Sequence, residues 1–209
     1  MELVDVASSL FCARVRAILY HKGLTAQVIR PPGGLASAEH RSLDPIARVP
    51  ALRISPSEPW LHESFAIALR LEEIAPAPPL EPAASELKAA GRQAMLFLDN
   101  YATPALFDLQ RLSARHGMAS EIERSQGRLA AAYGWLDGAL PRSRLALGDH
   151  LALADIWLAL GVALAREFER QLDLPLAPPS RLADLADRAL AEPALARVMV
   201  ELLAERRVA

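Results

Sequence analysis

Val6-Ala7-Ser8-Ser9-Leu10-Phe11-Cys12-Ala13-Arg14-Val15-Arg16-Ala17-Ile18-Leu19-Tyr20-His21-Lys22-Gly23 is the stretch where a strand gives way to a helix. Ahead of it, Leu3, Val4 and Val6 form a short apolar run that predicts a buried strand over residues 1–6. Beyond Ser8-Ser9 the period changes. Phe11, Val15, Ile18 and Leu19 fall at i, i+4, i+7 and i+8, one face of a helix that Gly23 stops. A serine caps that helix, so its first N–H groups face out above the loop. Such an end is a site for an anion, a thiolate included. A serine before a helix is ordinarily only a cap, and two later stretches decide whether this one does more.

Composition sets the frame. The chain has 209 residues, enough for one large domain or two small ones with a substantial core. Hydrophobic residues make up 52% and charged ones 23%, as in an ordinary globular protein. A net charge of −2 argues against nucleic acid or an anionic membrane as partner. Cys12 is the single cysteine, so no intramolecular disulfide forms and a cytoplasmic location is expected. Glu2 and Asp5 stand where a secretory leader carries basic residues. The longest apolar stretch, residues 151–165, contains Asp155 and is too short to span a bilayer. Histidines 21, 40, 62, 116 and 150 are scattered without metal-ligand spacing, so no metal is expected.

Further along, residues 26–30 read as a second strand, broken by Pro31-Pro32-Gly33-Gly34, and residues 35–43 as a short irregular helix. A strand then starts at Pro50, where a proline is tolerated. Pro56-Ser57-Glu58-Pro59 is a hairpin turn, Trp60 to Ser64 the partner strand, and Phe65, Ile67, Ala68 and Leu71 open another amphipathic helix. The order β-α-β-α-β-β-α predicts a small mixed sheet with crossover helices. Pro76, Pro78, Pro79 and Pro82 form a linker, and from Ala83 the pattern is helical throughout, with a kink expected at Thr103-Pro104. The expected organisation is therefore an α/β domain over residues 1–76, a linker over 77–83 and an all-α domain over 84–209.

Three stretches in this order resemble the glutathione transferase family. Ser9-Leu10-Phe11-Cys12 has the spacing of a thioredoxin-type C-x-x-C with serine in first place, followed by Arg14-Val15-Arg16. Asp44-Pro45 leads to Val49-Pro50-Ala51-Leu52, and Leu61-His62-Glu63-Ser64-Phe65-Ala66-Ile67 follows. Gly148-Asp149 and Ala152-Leu153-Ala154-Asp155-Ile156 resemble the start of a helix in the family's second domain, with Ala152 where Ser or Thr is usual. Loss of a hydroxyl cap costs about 1 kcal/mol, and Asp149 is placed to supply part of it.

The resemblance implies a thioredoxin-like N-terminal domain, a helical-bundle C-terminal domain and glutathione as co-substrate. It implies a cis Val49-Pro50 bond that turns the Val49 backbone outward, to pair with the peptide backbone of glutathione. Glu63 and Ser64 would meet the γ-glutamyl end, whose ammonium wants an anion and whose carboxylate wants donors. Ser9 would donate a hydrogen bond to the glutathione sulfur, favouring the thiolate. Phe11 and Arg48, and less so His40, are further candidates for glutathione contact, Arg48 and His40 at its glycine carboxylate. Ser8 competes with Ser9 for the catalytic place. Cys12 is read either as a buried helix residue or as a redox partner in a disulfide reductase. The activity implied is thiol transfer to a small hydrophobic electrophile by a homodimer. A non-catalytic binding protein and a glutathione-dependent isomerase or reductase stand as the alternatives.

Overall fold

The structure is a computed structural model that describes residues 1–115 and 118–206; His116 lies outside them. Two units emerge from its packing, Met1–Pro79 with Pro193–Ala209, and Leu80–Glu192.

The first unit is built on strands of two or three residues. β1 (Glu2–Val4) leads into helix α1 (Leu10–His21), which crosses over to β2 (Gln27–Ile29). β1 and β2 pair in parallel with Leu3 opposite Val28, a pairing that requires such a crossover. Helix α2 (Ala38–Leu43), strands β3 (Ala51–Arg53) and β4 (Leu61–His62), and helix α3 (Ser64–Ile74) complete the order expected from the sequence. β3 lies antiparallel to β1 with Leu52 opposite Leu3, and β4 antiparallel to β3 with His62 opposite Ala51. The sheet order is β2-β1-β3-β4, the thioredoxin-like arrangement. Leu3, Leu52, Val15, Ile18, Ile67 and Leu71 are buried between sheet and helices.

β1 is shorter than the apolar run from which it was expected. Beyond Val4 the chain keeps one more ladder bond, Asp5 N–H to the Ile29 carbonyl at 3.0 Å. The Asp5 carboxylate then takes two bonds from Arg16 Nη1, at 2.7 and 2.8 Å, in the interior. Gly23 sits at φ +64 after α1, the left-handed position that favours glycine at a helix end.

In the second unit the helices are α4 (Ser85–Phe97), α5 (Thr103–Ala114), α6 (Ala119–Ala139), α7 (Leu153–Leu172) and α8 (Ser180–Leu190). Between α4 and α5 the kink expected at Thr103-Pro104 is a π-helical turn, Leu98–Ala102. Pro104 cannot donate, and its ring crowds the carbonyl four residues back. The chain opens to i→i+5 bonding just ahead of it, with Thr103 N–H donating to Leu98. α7 is buried on nearly all sides, with Trp157 and Phe168 fully enclosed.

Ala152, at the N-cap of α7, makes no side-chain cap. Asp155 holds the helix start instead, accepting from Ala152 N–H at 2.9 Å and from Ala146 N–H at 2.7 Å. The loop contributes the Ala146 N–H, which holds the Asp155 carboxylate in place; it caps no helix N–H itself. Burial, against these two bonds, pushes the Asp155 carboxyl up to about 6. The last helix, α9 (Pro193–Arg206), packs on α1 and is grouped with the first unit, not with the helices before it.

Candidate functional site

At the α1 start the sequence places a cap, and the structure forms it with Ser9. Ser9 Oγ accepts from Cys12 N–H at 3.3 Å, and Ala13 N–H donates to the Ser9 carbonyl at 2.9 Å. A hydroxyl that accepts from the backbone still has its own proton to donate. Ser9 is half-buried, with Ser8 beside it and Phe11 two residues into the loop-to-helix turn.

Cys12 is not brought to any surface. Its side chain is fully buried, and the thiol accepts a weak bond from Val6 N–H at 3.5 Å. Burial, and then the nearby Asp5 carboxylate, push it up to about 12. A thiol in that state is a packing group, not a nucleophile. The buried-helix expectation describes where Cys12 sits, and its burial gives the redox expectation no support.

A cavity of ≈ 360 Å³ opens in the first unit. Phe11, Arg48, Val49, Pro50, Glu63 and Ser64 all line it, so six of the residues singled out in the sequence share one wall. Ser9 is outside that lining set and belongs to the helix start next to Phe11. Leu35, from the glycine-broken segment, also lines the cavity, as do Ile46, Ala47 and His62.

Two arms form the wall. One is the turn from Asp44 to Pro50, in which Ala47 takes φ 49 and the Val49-Pro50 bond is cis. Arg48 on this arm is exposed. The other arm is His62-Glu63-Ser64, at the end of β4 and the start of α3. Glu63 is the N-cap of α3 and holds φ 65, ψ 116, with its side chain exposed and making no cap bond. Ser64 is buried and opens the helix. A non-glycine residue at such an angle costs on the order of 1–3 kcal/mol, and persists where its surroundings over-determine it. The cavity thus carries an exposed cation on one arm and, on the other, an exposed anion with a hydroxyl and a helix start beside it. That is complementary to a small zwitterion bearing carboxylates and an ammonium.

His40 has a different place. It is fully buried, its Nδ1 accepts from Ala36 N–H at 3.3 Å, and it does not line the cavity. His62 and Asp44, by contrast, are joined. His62 Nε2 lies 3.3 Å from Asp44 Oδ1, which also takes Ile46 N–H at 3.3 Å. Sequence reasoning quoted both residues within their motifs without pairing them, because they are eighteen positions apart in different elements. No cluster of His, Cys, Asp and Glu able to hold a metal occurs among the described residues, and none of their helices is long and apolar enough to cross a membrane.

Residues 3–79 match the sequence model of the family described as "Glutathione S-transferase, N-terminal domain". A rat (Rattus norvegicus) maleylacetoacetate isomerase is 29% identical over 168 residues, covering 76% of this chain and 75% of its own. Among solved structures, a Tau class glutathione S-transferase from mango (Mangifera indica) superposes with a TM-score of 0.82 at 18% identity, over 100% of this chain and 98% of its own. A maleylacetoacetate isomerase from Anaeromyxobacter dehalogenans, solved with glutathione in its active site, gives a TM-score of 0.74 at 22% identity, over 94% and 93%.

Proposed function

We propose that the chain, whose residues 3–79 match the glutathione S-transferase N-terminal model, belongs to that family, binds glutathione in the first-unit cavity and uses the sulfur as a nucleophile. The observation that carries this reading is the meeting of Phe11, Arg48, Val49-Pro50 and Glu63-Ser64 on one cavity of the unit whose α1 start is capped by Ser9. Glu63 takes the γ-glutamyl ammonium, and Ser64 with the α3 start takes its carboxylate. The Val49 backbone pairs with the peptide, and Arg48 meets the glycine carboxylate. Ser9 donates its O–H to the sulfur, and the first N–H groups of α1 add to the field that favours the thiolate.

The names of the relatives favour isomerisation over plain conjugation as the reaction. Maleylacetoacetate is a cis alkene conjugated with a carbonyl. The thiolate adds to the alkene carbon, and the displaced electron pair moves onto the carbonyl oxygen as an enolate. Rotation about the resulting single bond follows; the enolate then re-forms the alkene as trans and expels the thiolate. Glutathione is regenerated, and no oxidant or metal enters. Catalysis here rests on a preformed thiolate and on proximity. Conjugation of an aryl halide would use the same first step but end with the sulfur bonded to product. A homodimer, a hydrophobic pocket for the electrophile and a cytoplasmic setting suited to a lone buried thiol belong to the same reading. Cys12 has no part in it.

Two measurements test the proposal. Thermal unfolding with millimolar glutathione or S-hexylglutathione should raise the midpoint; a ligand at a hundred times its Kd adds about 2.7 kcal/mol. Conversion of maleylacetoacetate with substoichiometric glutathione, followed by NMR, then separates the chemistries. Full conversion with glutathione recovered supports isomerisation, and turnover that stops when glutathione is spent supports conjugation. Ser9→Ala should lower kcat/KM roughly a hundredfold. Full activity in that variant would remove Ser9 from the catalytic role.

A further inference from the structure

The strained Glu63 needs something to hold it, and the structure supplies a clasp on the residue before it. His62 is the last residue of β4, opposite Ala51, and its ring lies in the wall of the cavity. Its Nε2 reaches Asp44 Oδ1 at 3.3 Å, and Asp44 is only 2% exposed. The same carboxylate oxygen accepts Ile46 N–H, and the Asp44 carbonyl accepts Ala47 N–H at 2.9 Å, so Asp44 organises the turn that leads to Arg48 and Val49. A second tie runs parallel to the first. Trp60, two residues before His62 and so on the same side of the extended chain, donates its indole N–H to the Leu43 carbonyl at 3.2 Å. Residues 60 and 62 therefore pin the 43–44 corner to the segment that ends in Glu63. On the other side Glu63 is fixed by α3, whose Ile67 N–H donates to the Glu63 carbonyl at 2.9 Å. Held from both sides, Glu63 keeps φ 65 with its carboxylate exposed at the cavity rather than relaxing into an ordinary extended conformation.

We propose that His62 and Asp44 are positioning residues for glutathione. Their pair, a part-buried imidazole on a buried carboxylate, locks the two arms of the cavity together and holds Glu63 in the backbone conformation that presents its carboxylate to the γ-glutamyl ammonium. The inference rests on the glutathione reading above and deepens it. In this proposal the effect of His62 on glutathione passes through Glu63. One chemical consequence is that the link needs an N–H donor at position 62 rather than an imidazole. Gln, whose amide nitrogen has a similar reach, should serve, whereas Ala should not.

The test is a double-mutant cycle read by calorimetric titration with S-hexylglutathione. His62→Ala should raise Kd about fivefold or more in the protein carrying Glu63, and by less than about twofold in Glu63→Ala, because the positioned group is then already gone. His62→Gln should return Kd to within about twofold of the parent. At saturating glutathione, kcat of His62→Ala should match the parent, since the sulfur end is untouched. Asp44→Ala combined with His62→Ala, which leaves no unpaired buried carboxylate, should bind as His62→Ala does and keeps the test open should the single variant fold poorly. An equal loss in both Glu63 backgrounds, or no loss in either, overturns the inference while leaving glutathione binding standing. A parent protein that binds no S-hexylglutathione overturns the functional reading and this inference with it.

Discussion

The two units solve the problem of holding a shape in opposite ways. The first has strands of two or three residues and buries Asp5, Arg14, Arg16, Lys22, His40, Asp44 and Ser64. It also keeps Ala36, Ala47 and Glu63 at positive φ. Ties such as Lys22 Nζ to the Ala75 and Pro78 carbonyls, at 2.6 and 2.9 Å, do work that a larger apolar core would otherwise do. The second unit is held by apolar burial along α7, and its buried Asp155 serves a helix end. Polar networks specify a conformation, whereas packed side chains supply bulk stability. Substitutions should therefore damage function first in one unit and stability first in the other.

The sharpest way to break that contrast is Trp157→Ala. Its side chain is fully buried and its indole N–H donates to Asp99 Oδ2 at 2.9 Å. Truncation should cost about 3–5 kcal/mol, on the scale of large aromatic-to-alanine changes. That should lower the thermal midpoint by roughly 10 °C. A shift of only a degree or two would mean that α7 does not carry the second unit.

Next in size is the pH dependence of Asp155. Its carboxyl, pushed up to about 6, is protonated more readily in the folded protein than in the unfolded chain, where it titrates near 4. Protons thus favour the fold. The contribution is complete below about pH 4 and is lost as pH rises through about 6, on the order of 3 kcal/mol in all. Urea midpoints measured across that range should fall for the parent relative to Asp155→Asn. Parallel curves would show that the two backbone N–H bonds outweigh burial.

Glu63→Ala should do the reverse of Trp157→Ala. The side chain is exposed and caps nothing, so the midpoint without ligand should stay within about a degree, while Kd for S-hexylglutathione rises about tenfold, near 1.4 kcal/mol. The smallest expected signal is that of Cys12. With its thiol raised to about 12, it should stay unmodified by a thiol reagent at roughly pH 8 until denaturant is added. Rapid native modification would contradict its burial.

Much of the fold could be read from the residues because its signals are local. Ser9 as cap, Gly23 as stop, the proline-bounded hairpin and the apolar run of α7 each act within a few positions. Six of the ten residues lining the cavity were singled out through motifs that carry their own spacing. What escaped was non-local or rare. Pro104 announces an interruption, yet its sequence does not distinguish a kink from a π-helical turn. Glu63 at φ 65 is invisible because only glycine advertises that region. The Asp44–His62 pair depends on β4 lying beside β3, which no single stretch encodes. The return of α9 to the first unit is likewise a matter of packing, since its residues read as one more helix.

Arg16 gives that return a bearing on biosynthesis. Besides Asp5, its guanidinium donates to the Ala7 carbonyl at 2.8 Å and lies 3.2 Å from Glu201 Oε2, while Tyr20 donates to Glu201 at 3.0 Å. The loop before Ser9 is thus braced by a carboxylate from nearly the far end of the chain. In chain order Leu80–Glu192 separates α9 from the rest of its unit, so one side of α1 stays uncovered until α9 has been made and has docked.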